Sequence, residues 1–233
     1  MSTQIDSVII ADVVKSSELS DESRRDLDKL LRGMFTIYEE KYKTSLLSSI
    51  TFSLGDEFQA VLSSADSAVL PALQMQSWLA LQSPDRPYRI RTAIGVGRVS
   101  VTTSRVAREQ DGPAFHVARK LIHDIHKQKT LFGIRCHGSS PLIQLFNNSF
   151  DISCRFVSSA LLRWTQPQWE AIYWKWEGES SKQIAERLGV RPQNISKRLT
   201  SANFQAVDQA LKGFATILRH PALLDEMSST SRK

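Results

Sequence analysis

Two acidic residues in the N-terminal half have the type and spacing of a metal-bound phosphate site. Asp12 lies at the end of a β-branched run that begins at Val8 and is typical of a buried strand. Asp56 follows Gly55 in a hairpin-type turn, and Glu57 comes next. Carboxylates within a few ångströms of each other repel and favour a hard divalent cation. This set therefore predicts a site for Mg²⁺ or Mn²⁺.

Each of these residues also has a purely structural interpretation. Asp12 could cap a strand end, Asp56 could serve a type I′ turn, and Glu57 could either add a third carboxylate or point away. In a βαββαβ sheet, however, the first and third strands are central neighbours, so their acidic ends can converge. A converging pair could hold one or two cations on a triphosphate and assist an in-line attack.

Two arginines on a later strand could act on the same ligand. Arg89 and Arg91 lie two residues apart in a strand-like segment at residues 88–101, so they share one face. They either contact a triphosphate or line a solvated sheet edge, and the pattern favours the edge.

A second candidate site lies near the C-terminus, in helical segments separated by a short turn. The apolar or small positions of the pattern are Ile184, Ala185, Leu188, Gly189, Val190 and Ile195. This spacing is typical of a helix-turn-helix, since the glycine permits a positive φ and the alanine permits a close helix crossing. The candidate DNA-binding residues on or beside the last helix are Arg191, Gln193, Asn194, Lys197 and Arg198. Such side chains contact bases and phosphates, which predicts double-stranded DNA as a partner.

The distribution of charge supports this interpretation. The formal net charge of the chain is +6, and residues 161–233 contribute 11 Lys and Arg against 7 Asp and Glu. Residues 187–198 contain four basic residues and no acidic one. The alternative for this segment is a helical packing or protein-interaction module with a solvated basic face.

Four of the five tryptophans lie within thirteen residues, at positions 164, 169, 174 and 176. They could form a stacking platform for single-stranded nucleic acid. Their helical spacing favours core packing instead.

The apolar periodicity predicts how these sites are positioned. Strand and helix patterns alternate as βαββαβ and then αβ, after which only helices remain. We predict an α+β protein with three parts. A ferredoxin- or palm-like sandwich occupies residues 1–157, an all-α helix-turn-helix domain occupies residues 158–220, and a C-terminal tail occupies residues 221–233, with disorder expected from Met227.

Composition excludes several classes of protein. In 233 residues, 41% hydrophobic and 23% charged residues exclude a largely disordered chain and a disulfide-rich scaffold. Cys136 and Cys154 lack metal or redox spacing, and we expect buried free thiols. No apolar run reaches the ~20 residues of a membrane helix, and the first residues lack a signal-peptide pattern. We therefore expect a cytoplasmic protein with no membrane partner.

Several motifs together resemble one known family. They are residues 11–17 (ADVVKSS), 55–59 (GDEFQ), 112–115 (GPAF) and the ending from Trp164-Thr165 to residues 196–199 (SKRL). On these motifs nearly the whole chain resembles the SatD family. Its N-terminal part is also similar to class III nucleotide cyclases and, through residues 55–58, to diguanylate cyclases.

The cyclase resemblance implies a nucleotide site. It implies that Asp12 and Asp56 are metal ligands. It also implies contacts with the nucleotide at Gly55, His116, Arg119 and Lys120. The chain departs from the cyclase pattern at four positions. Phe52 replaces a purine-reading lysine, Leu54 replaces a glycine, His116 replaces an asparagine and Lys120 replaces an arginine. These departures predict a degenerate cyclase-like domain.

Our leading prediction is a DNA-binding, transcriptional regulator. Its cyclase-like domain would form a homodimer and sense a nucleotide with Mg²⁺. One alternative is a metal-dependent nucleotidyl cyclase or phosphoryl-transfer enzyme that is targeted by its helix-turn-helix. Another is a protein-interaction adaptor in which both sites are inert.

Overall fold

The computed structural model of the chain describes residues 4–85, 88–100 and 110–229. The strands are β1 (Asp6–Val13), β2 (Thr51–Leu54), β3 (Glu57–Leu62), β4 (Ile90–Gly97) and β5 (Phe132–Cys136). The helices are α1 (Asp21–Lys41), α2 (Val69–Gln82), α3 (Pro113–Gln128), α4 (Pro141–Arg163), α5 (Gln166–Trp176), α6 (Ser181–Leu188), α7 (Pro192–Ser201), α8 (Phe204–Leu218) and α9 (Pro221–Ser229). The described residues thus confirm the predicted α+β class and the βαββαβ order.

The five strands form one sheet in the order β2-β3-β1-β4-β5. β1 is central and pairs antiparallel with both β3 and β4, whereas β4 and β5 are parallel. The prediction that the first and third strands are neighbours is confirmed. The interpretation of Arg91 as part of a solvated sheet edge is wrong, because its side chain is mostly buried and bonded to Asp12.

The two faces of the sheet are covered differently. On one face Val8, Ile10, Val61 and Ala93 form a small cluster with the apolar side of α3. α3 approaches closely because β4 has a glycine at position 95, where a Cβ atom would lie 2.1 Å from the Ala114 carbonyl oxygen. The opposite face carries the main core.

The main core packs the other sheet face against helices from both halves of the chain. α1 begins at Ser20, whose hydroxyl accepts a hydrogen bond from the Ser23 amide, as N-cap residues do. Its buried side chains are Leu27, Leu31, Met34, Phe35 and Tyr38. The same cluster of buried residues continues through α2 and α4 to α8 and α9.

The C-terminal helices continue directly from α4, and the predicted boundary at residues 157/158 falls inside that 23-residue helix. Residues 221–229, expected in a tail, form α9, in which Leu223 and Met227 are buried. The expectation of disorder from Met227 is therefore wrong as far as residue 229. Two apolar side chains at a spacing of four hold this helix against the core.

Two further expectations concern the cysteines and the membrane. Cys136 and Cys154 are buried free thiols, as predicted, and burial raises the pKa of the Cys136 thiol to about 12. Among the helices in the described ranges, none combines the length and apolar character needed to cross a bilayer.

Candidate functional site

The ends of β1 and of the β2–β3 hairpin bring the two predicted metal ligands together. Asp12 is the next-to-last residue of β1, and the amide of Val13 donates a hydrogen bond of 2.9 Å to the Asp56 carboxylate. The β1–β3 pairing that aligns Ala11 with Phe58 sets this contact. The structure therefore places Asp12 and Asp56 at one point, although 44 residues separate them.

Asp12 has a cationic neighbour that sequence reasoning did not assign to it. Arg91 lies opposite it on β4, and one guanidinium nitrogen is 3.2 Å from each carboxylate oxygen of Asp12. Burial raises the pKa of the Asp12 carboxyl above its ordinary value and Asp56 adds to the rise, whereas Arg91 opposes it. The site is thus a half-buried cluster of two acids and one arginine.

The hairpin turn explains the glycine before Asp56. Gly55 has a φ of 61°, a conformation that favours glycine, whereas Asp56 does not have a positive φ. A positive φ at the first central position alone is the type II′ pattern, so the type I′ interpretation is wrong. The Glu57 carboxylate accepts a hydrogen bond from the Ser53 hydroxyl on the adjoining strand.

A cavity of about 370 Å³ opens beside this cluster, between the hairpin and the start of α1. Its lining includes Ser17, Arg24, Asp28, Phe52 and Asp56. The volume lies in the range of small-molecule sites, and an aromatic ring together with a few polar groups is a usual lining for them. Asp56 therefore has space for a ligand next to it, whereas Asp12 is not part of the lining.

The acidic pair fits a cation that is shared with a bound phosphate, and it does not fit a metal site built from protein ligands alone. In the described part of the chain, no three His, Cys, Asp or Glu side chains group as a dedicated metal site would require. Mg²⁺, however, is commonly held by one or two carboxylates together with the phosphates of its ligand. Asp12 and Asp56 supply two such hard oxygen donors, so the residues fit a cation that arrives with a phosphorylated ligand.

α3 begins at the other end of the sheet, and the predicted nucleotide contacts lie in its first half. A Cβ atom at Gly97 would be 3.2 Å from the Ala114 amide, which fixes the start of α3 beside the end of β4. Six residues of strand separate Gly97 from Arg91, or about 20 Å. His116 is exposed, with its Nε2 atom 3.1 Å from Asp111, and Arg119 and Lys120 are exposed as well. His116 therefore lies far from Asp12 and Asp56, whereas α3 continues back toward them, with Ala118 against Gly95 and Leu121 against Gly133.

The second candidate region is built on a small core shared by α5, α6 and α7. Its buried residues are Ala171, Ile184, Ala185 and Ile195. A capping box at Ser180 begins α6, and Gly189 ends it with a φ of 65°. After a short turn, Pro192 begins α7 at a position where proline is well tolerated. The predicted pair of helices joined by a glycine turn is therefore present.

Four of the five predicted DNA-binding residues are exposed on or beside α7. They are Arg191, Gln193, Asn194 and Lys197. Gln193, Lys197 and Thr200 follow one another at spacings of four and three, so they form one outward row opposite buried Ile195. No acidic residue lies on this helix.

Arg198, the fifth predicted residue, differs from the others. Its guanidinium lies 3.3 Å from both the Glu170 carboxylate and the Pro167 carbonyl oxygen, and less than a quarter of its side chain is exposed. The structure thus places Arg198 between α7 and α5 and not on the outward row. The pattern could not show this because the partner lies 28 residues away.

The tryptophans belong mainly to the core, as their spacing favoured. Trp164 and Trp169 are buried and meet edge to face with ring centroids 4.6 Å apart. The indole of Trp164 donates to the Ala202 carbonyl oxygen at 2.8 Å and so ties α4 to the end of α7. Trp174 carries the Arg187 guanidinium 3.8 Å above its ring.

Comparison with known families assigns the chain to a family. The model of the SatD family matches residues 7–209. The chain belongs to the SatD family. The match runs from β1 into α8 and therefore includes both candidate regions of this SatD-family chain. No curated protein matches it.

Solved structures similar to this SatD-family chain include three with cyclase names. An adenylate/guanylate cyclase/hydrolase from Silicibacter pomeroyi is 22% identical, with 52% of this chain and 69% of that chain covered and a TM-score of 0.39. Two structures of a bacterial light-regulated adenylyl cyclase are 14% and 16% identical, with TM-scores of 0.39 and 0.41. Each similarity covers 57% of this chain. The first covers 76% of the cyclase chain and the second covers 43%. The family assignment rests on the family model and not on these structures.

Proposed function

We propose that this SatD-family protein is a DNA-binding, transcriptional regulator and that α6 and α7 form its helix-turn-helix. The observation that carries the proposal is the outward row on α7. Gln193 and Lys197 are exposed there on a helix without acidic residues, and Ile195 anchors that helix in a core shared with α6. Amide and ammonium side chains on a helix of this kind contact base edges and phosphates in the major groove.

The test is a selection of genomic DNA fragments, followed by titration of the selected duplex. Lys197→Ala and Arg191→Ala should each weaken binding about tenfold and reduce the dependence of affinity on salt. Lys29→Ala is the matched control, because Lys29 is an exposed lysine on α1, outside the proposed interface. Absence of any bound fragment at low salt would contradict the proposal.

We propose further that Asp12 and Asp56 bind a nucleotide together with Mg²⁺. The convergence of two carboxylates, one of which, Asp56, lines a cavity of about 370 Å³, supports this. Arg91 supplies the cation that a phosphate requires. Calorimetric titration with nucleoside triphosphates and Mg²⁺ should give binding that Asp56→Asn weakens more than tenfold, whereas Mg²⁺ alone should bind weakly.

The acidic pair also supports a second candidate function. A phosphoryl-transfer enzyme is the second candidate, since the same acidic pair could assist transfer. Release of pyrophosphate from any of the four triphosphates with Mg²⁺ or Mn²⁺, lost in Asp56→Asn, would favour the enzyme over the sensor.

We also propose a homodimer, because regulators of this kind read paired half-sites. Sedimentation equilibrium would test it.

A further inference from the structure

The outward face of α4 is apolar, unlike the outward face of the other long helix. α4 contains three charged residues in 23, whereas α1 contains eleven in 21. In the part of the chain that the structure describes, six large hydrophobic residues are exposed, and four of them are on α4: Leu145, Ile152, Phe156 and Leu162. Exposed apolar groups that collect on one helix mark an interaction surface, whereas isolated ones do not.

Three of these side chains form a stripe along the helix. Leu145, Ile152 and Phe156 are separated by seven and four residues, so they point in the same direction, and they are 61%, 59% and 74% exposed. Ser149 lies between the first two on the same side and is exposed as well. Cys154 is on the opposite side of α4, in the main core. We call Leu145, Ser149, Ile152 and Phe156 the α4 stripe.

The order of side chains along the α4 stripe is self-complementary. A twofold axis centred between Ser149 and Ile152 pairs two α4 helices in antiparallel directions. It sets Leu145 against Phe156 of the second copy, and Ser149 against Ile152 of the second copy. The small serine leaves room for the larger isoleucine, as close packing of two helices requires.

The polar residues beside the α4 stripe fit the same arrangement. Gln144, Asn148 and Arg155 lie along one side of the stripe, and all three are exposed. The twofold axis keeps this side of both copies together, so Arg155 comes beside Gln144 and Asn148 of the second copy. A guanidinium only donates hydrogen bonds, and the carboxamide oxygens accept them.

The exposed apolar area is of the size that a dimer requires. The three apolar side chains of the α4 stripe expose roughly 350 Å² in each copy. A standard interface buries about 800 Å² per partner, of which a little more than half is apolar. The stripe therefore supplies most of the apolar part, and the exposed residues beside it supply the polar remainder.

We propose that the α4 stripe is the surface through which two copies of this chain pair in antiparallel directions. This inference rests on the homodimer proposed above and assigns its interface to α4. Because a helix rises about 1.5 Å per residue, the two Trp164 residues at the ends of α4 lie about 40 Å apart in this pair. In a parallel pair they lie only about 10 Å apart.

This separation connects the interface to the DNA-binding region. The Trp164 indole is bonded to Ala202 at the end of α7, so the position of α7 follows the end of α4. Successive half-sites on duplex DNA are about 34–36 Å apart. The antiparallel pair holds the two α7 helices near that spacing, whereas the parallel pair does not.

Sedimentation equilibrium of the full-length protein tests the surface without DNA. The wild type should be a dimer at micromolar concentration. Phe156→Glu should raise the Kd of the dimer at least about a hundredfold, since it buries an unpaired carboxylate in each copy. Ile37→Glu is the matched control, because Ile37 is an exposed apolar residue on α1, and it should leave this Kd within about twofold. The circular dichroism spectra of both variants should match that of the wild type.

Cross-linking tests the direction of the pair. The two native cysteines are buried, so an introduced cysteine on the α4 stripe reacts selectively. A short bismaleimide should join two copies of Ser149→Cys, which lie near the axis. It should not join two copies of Ser159→Cys, which lie about 25 Å apart along the helices. Cross-linking at position 159 would show a parallel pair and overturn the arrangement.

The outcomes separate this inference from the function on which it rests. A wild-type monomer rejects the proposed homodimer and this inference with it. A dimer that Phe156→Glu leaves intact overturns this inference alone. A dimer that Phe156→Glu dissociates supports it, even if no DNA fragment is selected and the regulator is rejected. With a selected duplex, Phe156→Glu should weaken binding to two half-sites about tenfold and binding to a single half-site less than about twofold.

Discussion

The two candidate regions of the molecule hold their charged groups in opposite ways. On the sheet, Asp12 is a quarter exposed and is paired with Arg91 from a strand 79 residues away. On α7, Lys197 and its neighbours are exposed, and their direction follows from the period of the helix. The sheet cluster is therefore part of the folded interior, whereas the α7 row is attached to its surface.

This difference predicts which substitutions affect stability. A group that is half-buried and paired contributes to the free energy of unfolding as well as to a ligand, because removing its partner leaves a charge uncompensated. An exposed group contributes to binding and little to folding. Variants of the sheet should therefore change both quantities, and variants of the α7 row should change binding alone.

The largest expected effect concerns Asp6, at the other end of β1 from Asp12. Asp6 is 5% exposed, and burial raises the pKa of its carboxyl to about 6 from an ordinary value of 3.8. The folded state therefore binds the proton more tightly than the unfolded state. Asp6 thus lowers stability as pH rises from about 4 through about 6, by up to about 3 kcal/mol above that range.

Asp6→Asn should remove this dependence on pH. Urea unfolding of the wild type and the variant at pH 5 and pH 7.5 gives two differences in free energy. The advantage of the variant should be larger at pH 7.5 by about 1 kcal/mol. An equal difference at both pH values would mean that Asp6 titrates as an exposed carboxyl does.

The next largest effect concerns Arg91, the arginine that is paired with Asp12. Arg91→Ala should lower the free energy of unfolding by about 2 kcal/mol at pH 7.5, the range for a hydrogen bond to a charged group. The loss should shrink at pH 5, since the pKa of Asp12, already raised by burial, would rise further without Arg91.

Arg32 supplies the control for this comparison. It forms an ion pair with Asp28 on the exposed side of α1, where about two thirds of the Arg32 side chain is accessible. Arg32→Ala should leave the free energy of unfolding nearly unchanged, because an exposed ion pair contributes little. Equal losses for the two arginines would remove the distinction between an interior cluster and a surface pair.

How far the sequence predicts each region follows from the same contrast. The α6–α7 pair was predictable because capping, the glycine turn and the position of Ile195 are local signals. The meeting of Asp12 and Asp56 was predictable from the topology alone, since βαββαβ order places β1 beside β3. In both cases a short rule connects residue spacing to position.

The partners of these residues were not predictable in this way. Arg91 faces Asp12 because the β1–β4 register aligns them, and a slip of one residue would put Arg91 on the other face. No single-sequence pattern fixes that register. The helix at residues 221–229 was missed for a related reason. Its fold depends on burying Leu223 and Met227 against distant helices, and so short a segment has little helical stability of its own.

The smallest expected effect tests the exception within α7. Arg198 is bonded to Glu170 and the Pro167 carbonyl oxygen. Like the sheet cluster, it should contribute to stability, but by a smaller amount. Glu170→Gln should lower the free energy of unfolding by about 0.5 kcal/mol, because the pair is partly screened by solvent. DNA affinity should change less than about threefold, against about tenfold for Lys197→Ala. A loss of affinity in Arg198→Ala equal to that of Lys197→Ala, without loss of stability, would instead place Arg198 on the DNA. The bond to Glu170 would then belong to the free protein alone, and Glu170→Gln should strengthen DNA binding by releasing the guanidinium.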